Sequence, residues 1–102
     1  MTSRLVFRKL ITVICESALE QGLTQAISKL GASGYTVSDA RGKGAHGVRD
    51  ASWPENANIR IEVLCDEPIA SCILDLLVNN YYSNYTLVTF VSDVGVLRPG
   101  KF

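Results

Sequence analysis

Residues 34–49, Gly-Tyr-Thr-Val-Ser-Asp-Ala-Arg-Gly-Lys-Gly-Ala-His-Gly-Val-Arg, carry the densest chemistry in this chain. Arg41, Lys43 and Arg49 supply positive charge with no acid between them, and His46 adds a donor. Gly42, Gly44 and Gly47 leave neighbouring backbone N–H groups open to an anion, with no Cβ in the way. Phosphate is the ligand that such a stretch suits. The competing reading is a solvated loop with incidental charges, and the local sequence weights the two equally. Gly42-Lys-Gly-Ala-His-Gly47 also fits G-x-G-x-x-G, but a dinucleotide site needs a helix opening at those glycines and a second βαβαβ half. Residues 48–58 read instead as loop. No G-x-x-x-x-G-K-[ST] occurs, so a P-loop is excluded.

Other candidates lie nearby. Arg60 projects from a strand next to the loop, where its guanidinium suits either a planar anion such as bicarbonate or a cross-strand carboxylate. Trp53, followed by Pro54, is either a partner anchor or packed on its own domain. Ser, His and Asp are present, yet no nucleophile elbow, metal-ligand spacing or paired carboxylate organises them, so no catalytic residue is assigned.

The elements that position these residues follow from periodicity. A β-branched run over 10–15 reads as a central strand. Ser17-Ala-Leu-Glu20 has capping-box spacing, and Leu19, Leu23, Ala26, Ile27 and Leu30 form one helical stripe ending at Gly31 and Gly34. Alternation over 35–40 gives a second strand, 41–58 is loop throughout, and Ile59, Ile61 and Val63 alternate with Arg60 and Glu62 in a third. Asp66-Glu-Pro68 opens a second helix whose stripe is Ile69, Cys72, Ile73, Leu76 and Leu77, running to about Asn80. Residues 85–94 form a fourth strand with apolar residues on both faces, and the tail adds at most one small strand.

This β-α-β-β-α-β order predicts an α+β, ferredoxin-like sandwich with both helices on one face of the sheet. The first and third strands are expected as parallel neighbours in the centre, with Cys15 and Cys65 at the same end. The free face holds too much apolar surface for water, which points to a symmetric homo-oligomer.

At 102 residues, 47% hydrophobic and formally neutral, the chain reads as one domain, 1–102, able to bury a core without a staple. Zero net charge argues against wholesale nucleic-acid binding. Three cysteines with no C-x-x-C point to buried reduced thiols rather than disulfides or zinc. With charge where a signal peptide needs apolar residues, the expected location is cytoplasmic.

The segment Gly34-Tyr-Thr-Val-Ser-Asp-Ala-Arg-Gly-Lys-Gly44, together with Ile59-Arg-Ile-Glu-Val-Leu64, resembles the PII-like signalling proteins. Within that family the pattern is most similar to the carbon-responsive branch, the carboxysome-associated and bicarbonate-transporter-associated members. The resemblance spans roughly residues 10–98 and implies a trimer, a T-loop at 41–58 between strands two and three, and nucleotide clefts between subunits. It implies adenine nucleotide (ADP, AMP or cyclic AMP) at Thr36, Gly42, Lys43, Gly44, His46, Arg49, Leu64, Thr86, Leu87 and Arg98. Bicarbonate would fall to Arg60 and Lys43, and partner contact to Trp53. No covalent cofactor is implied, and the partner would be a membrane bicarbonate transporter or another inorganic-carbon protein. His46 stands where the branch carries an arginine. The turn at 81–87 has neither the glycine nor the lysine of the triphosphate-binding loop in nitrogen-regulatory PII proteins, so a nitrogen sensor is the alternative, with a small nucleotide hydrolase behind it.

Overall fold

The structure, a computed structural model, describes residues 4–44, 47–49 and 58–97, with backbone alone at 43–44 and 47–49. Its elements are β1 (Val6–Glu16), α1 (Glu20–Lys29), β2 (Thr36–Ala40), β3 (Gly42–Gly44), β4 (Gly47–Arg49), β5 (Asn58–Cys65), α2 (Glu67–Asn80) and β6 (Val88–Val96). Four strands form one antiparallel sheet in the order β2-β5-β1-β6. This is the expected ferredoxin-like arrangement.

The expected strand direction in the centre is corrected. β1 and β5 are antiparallel, with Lys9 opposite Cys65 and Glu16 opposite Asn58. The α1 crossover brings β2 back parallel to β1 with one strand-width between them, and β5 fills that gap running the other way. Cys15 faces Ile59 while Cys65 faces Lys9, so six residues of β1, on the order of 20 Å, part the two thiols. They cannot form a redox pair.

Alternation decides the two faces. Ile11, Val13 and Cys15 of β1 and Ile59, Ile61, Val63 and Cys65 of β5 are buried together with Leu23 and Ile27 of α1, Ala70, Ile73 and Leu77 of α2, and Leu87. The residues between them face away from the helices. By register that open face carries Leu10 and Ile14 from β1, Arg60, Glu62 and Leu64 from β5, and Val88 and Phe90 from β6. Val88 and Phe90 remain 46% and 44% exposed, so the apolar free face expected from the sequence is present. Thr12 lies among these residues, fully buried, with no partner for its hydroxyl.

Local chemistry explains where elements begin and stop. The capping box at Ser17 does not form: Ser17–Leu19 makes a 3-10 turn whose extended flanking residue is Glu16, and neither that turn nor α1 has a side-chain cap. A serine already in turn geometry cannot offer its oxygen to the next turn in the way an extended cap residue does. Gly31, with φ of 109°, ends α1 in a conformation that other residues resist. At α2 the cap is made, Asp66 Oδ1 accepting from the Ile69 N–H at 3.1 Å with Pro68 in the first turn.

Three further expectations are corrected. β6 starts at Val88 rather than 85, because Tyr81 and Tyr82 both donate backbone N–H groups to the Leu77 carbonyl and the Tyr85 N–H returns to Tyr81. The Tyr81 and Tyr85 rings, 5.9 Å apart, reinforce that turn. Within 41–58, β3 and β4 pair as an antiparallel ribbon, since backbone hydrogen bonding needs no side-chain periodicity. Cys72 is exposed, with Ala70 taking the buried place on α2.

Burial pushes the Cys65 thiol above its ordinary value, and the Asp66 charge adds to the shift. Because the folded-state value is raised, this contribution to stability is complete below about pH 8.5 and is lost as pH climbs through the folded value. Unfolding free energy should therefore fall as pH rises above about 8.5, and Cys65→Ala should flatten that decline. A thiol reagent at neutral pH should modify Cys72 promptly, and Cys15 and Cys65 only on unfolding.

Candidate functional site

β2 and β5 set the first half of the site. Thr36 opens β2 opposite Glu62, and the next outward residue of β5 is Leu64. These side chains line an open cleft of about 570 Å³ with Leu10, Gly34, Tyr35, Val94, Gly95 and Val96. Gly95 pairs with Phe7, and a Cβ on it would sit 3.1 Å from Leu5 Cδ1, so the bare backbone at this edge leaves room for the Leu5 side chain. Tyr35 and Glu62 are cleft residues that motif reasoning passed over. Glu62 was within reach of it, because the alternation that turns Arg60 outward turns Glu62 outward too.

The second half lies at the opposite end of the sheet. Gly42, Lys43 and Gly44 form β3, paired with Gly47, Val48 and Arg49 of β4, so Lys43 and Arg49 enter the same two-stranded ribbon. Thr86 and Leu87 precede β6, whose first residue faces Ile14 near the same end. β2 carries the chain from Thr36 to Ala40, and Gly42 follows beyond Arg41, at most about 20 Å from Thr36. Thr36 and Gly42 thus flank the two ends of β2 in one protomer. Leu87 is 8% exposed and packs in the helix-side core, so its side chain is committed there and Thr86 is the exposed residue of the two. His46, Trp53 and Arg98 lie outside the described residues.

Arg60 stands between the halves. Its Nη2 donates to Glu62 Oε2 at 3.5 Å, two residues along the same strand. The carboxylate partner weighed for Arg60 is thus present, on its own strand rather than a neighbour. A second cleft, about 480 Å³, opens on the helix side between Phe7, Lys9, Glu67 and Asp93. Its lysine is held to Asp93 at 2.6 Å, and the bond to that carboxylate raises the lysine above its ordinary value. Among the described residues no group of His, Cys, Asp and Glu could hold a metal ion, and no helix is long and apolar enough to cross a membrane.

Residues 8–101 match the family described as nitrogen regulatory protein P-II. The chain belongs to that family. As a P-II member it is similar to a PII-like signalling protein from Thermus thermophilus, at 41% identity and a TM-score of 0.84, over 96% of this chain and 97% of that one. It is also similar to CPII from Thiomonas intermedia, solved with ADP and bicarbonate, at 29% identity and a TM-score of 0.85, over 96% of each chain. A further CPII structure from the same organism holds ADP, AMP and bicarbonate, at 29% identity and a TM-score of 0.86, over 96% of this chain and 95% of that one.

The commitment of Leu87 to the P-II core can be measured. Leu87→Ala should destabilise the protein by about 2–4 kcal/mol in denaturant unfolding.

Proposed function

We propose that this P-II chain is a signalling protein that binds an adenine nucleotide (AMP, ADP or cyclic AMP) together with bicarbonate, in clefts between the copies of a homotrimer. The observation that carries the reading is the split of the candidate residues between opposite ends of the sheet. A cleft made by Thr36 and Leu64 of one copy and the Gly42–Gly44 and Arg49 ribbon of the next reunites them. A ring of copies joined in this head-to-tail way closes on itself, and three is the expected number. Its formation would cover the apolar open face. The CPII structures with ADP, AMP and bicarbonate support the ligand class.

In this reading Lys43 and Arg49 meet phosphate through charge-assisted hydrogen bonds, joined by His46 and Arg98, while Thr36, Leu64, Thr86 and the backbone at Leu87 surround the base. Arg60 of one copy and Lys43 of the next hold bicarbonate. The loop at 41–58 is the output, ordered differently with and without ligand, and Trp53 is its contact with a partner. The bicarbonate ligand favours a membrane bicarbonate transporter or another inorganic-carbon protein as that partner, and hence control of carbon uptake or carboxysome-linked CO2 fixation, in the cytoplasm or at the carboxysome. The role is regulatory rather than enzymatic. The turn at Tyr81, Tyr82 and Tyr85 bears hydroxyls and rings but no cation for a third phosphate, which favours this reading over a nitrogen sensor.

Light scattering at micromolar concentration should give three times the 11.1 kDa chain mass. Calorimetric titration with AMP, ADP, ATP and cyclic AMP, each with and without bicarbonate, should rank the ligands. Lys43→Ala and Arg49→Ala should each weaken nucleotide binding about tenfold or more, the loss expected for one hydrogen bond to a charged group. A monomer, or two variants that bind as the parent does, would overturn the assignment.

A further inference from the structure

The open face carries an ion pair with two neighbours of different kinds. Arg60 and Glu62 meet through a single hydrogen bond of 3.5 Å, and their side chains stay 42% and 34% exposed. Such a pair is weak, and it leaves most of the guanidinium donors unspent. Glu62 is at the same time a wall of the 570 Å³ cleft, directly opposite Thr36 on β2. One carboxylate thus faces the cleft assigned to the nucleotide and holds the arginine assigned to bicarbonate.

We propose that the Arg60–Glu62 pair couples the two ligands, with Glu62 as the carboxylate that occupies Arg60 until nucleotide engages it. The inference rests on the functional reading above, which supplies both ligands. An ionised carboxylate only accepts hydrogen bonds, and a nucleotide entering beside Thr36 brings donors, the sugar hydroxyls and the amino group of the base. Donors that engage Glu62 loosen its contact with Arg60. The freed planar fork then matches bicarbonate, whose paired oxygens present the same geometry as the carboxylate that they replace. Linkage makes the effect reciprocal: bicarbonate, by taking Arg60, leaves Glu62 to the nucleotide and tightens it by the same factor. Because the pair to be broken is weak, that factor is on the order of fivefold.

The test is calorimetric titration of the full chain with ADP at zero and saturating bicarbonate, and with bicarbonate at zero and saturating ADP, for the parent, Glu62→Gln and Arg60→Ala. In the parent each ligand should tighten the other about fivefold. Glu62→Gln keeps the shape and removes the charge that occupies Arg60, so bicarbonate should bind without ADP as tightly as with it and the coupling factor should fall to about one. Arg60→Ala should lose bicarbonate and bind ADP, without bicarbonate, about as tightly as the parent does with it. Thermal melts of the unliganded proteins, matching that of the parent, separate lost coupling from lost folding. Glu62→Asp, which keeps the charge and shortens its reach, should give an intermediate factor. A parent with both ligands bound and no coupling overturns the inference, as does Glu62→Gln with the parent's coupling. A parent that binds neither ADP nor bicarbonate overturns the functional reading itself.

Discussion

The antiparallel seating of β5 between β1 and β2 is the constraint on which the rest of the molecule depends. Every strand in the sheet then alternates in step with its neighbours, so one face collects Ile11, Val13, Ile59, Ile61 and Val63 beneath the helices. The other face is left with Leu10, Ile14, Val88 and Phe90 around a polar strip of Thr12, Arg60 and Glu62. The same seating fixes the ends: Thr36 and Leu64 at one, the β3–β4 ribbon and the start of β6 at the other. A β5 running the other way would exchange the ends at which Leu64 and Asn58 lie, and the cleft at Thr36 would lose a wall.

The open face has a composition that suits neither water nor an apolar partner alone. Its exposed Val88 and Phe90 favour covering, while the Arg60–Glu62 pair would be costly to bury with so few hydrogen bonds of its own. A face of this kind is suited to an interface that keeps its polar strip at a ligand-filled boundary. On the proposed function, that physical tension would link assembly to ligand binding.

Strong periodicity made most of the fold legible in the sequence. Ile59, Ile61 and Val63 against Arg60 and Glu62 gave the faces of β5 without ambiguity, and Asp66 with Pro68 marked the start of α2 where its cap is made. What was missed rests on geometry that side-chain patterns do not carry. Direction in the centre of the sheet depends on how a crossover leaves a gap for a later strand. The β3–β4 ribbon is held by backbone pairing among glycines, and the late start of β6 comes from two N–H groups returning to one Leu77 carbonyl. For the site, motif likeness singled out Thr36 and Leu64, which share a cleft. It could not show that the glycine-rich ribbon follows the far end of β2 from Thr36, and it passed over Tyr35 and Glu62, which line the cleft.

The central claim is that one ligand site takes its two halves from two copies of the chain, and complementation in mixed oligomers tests it most directly. A variant blocked in the cleft, Thr36→Trp, and a variant stripped at the ribbon, Arg49→Ala, are each prepared alone and shown to bind ADP poorly. They are then unfolded together in equal amounts, refolded and titrated. If each site joins two copies, about a quarter of the sites in the mixture pair an intact cleft with an intact ribbon and recover parental affinity. If both halves belong to one copy, every site keeps one defect, and the mixture binds no better than the two variants measured apart.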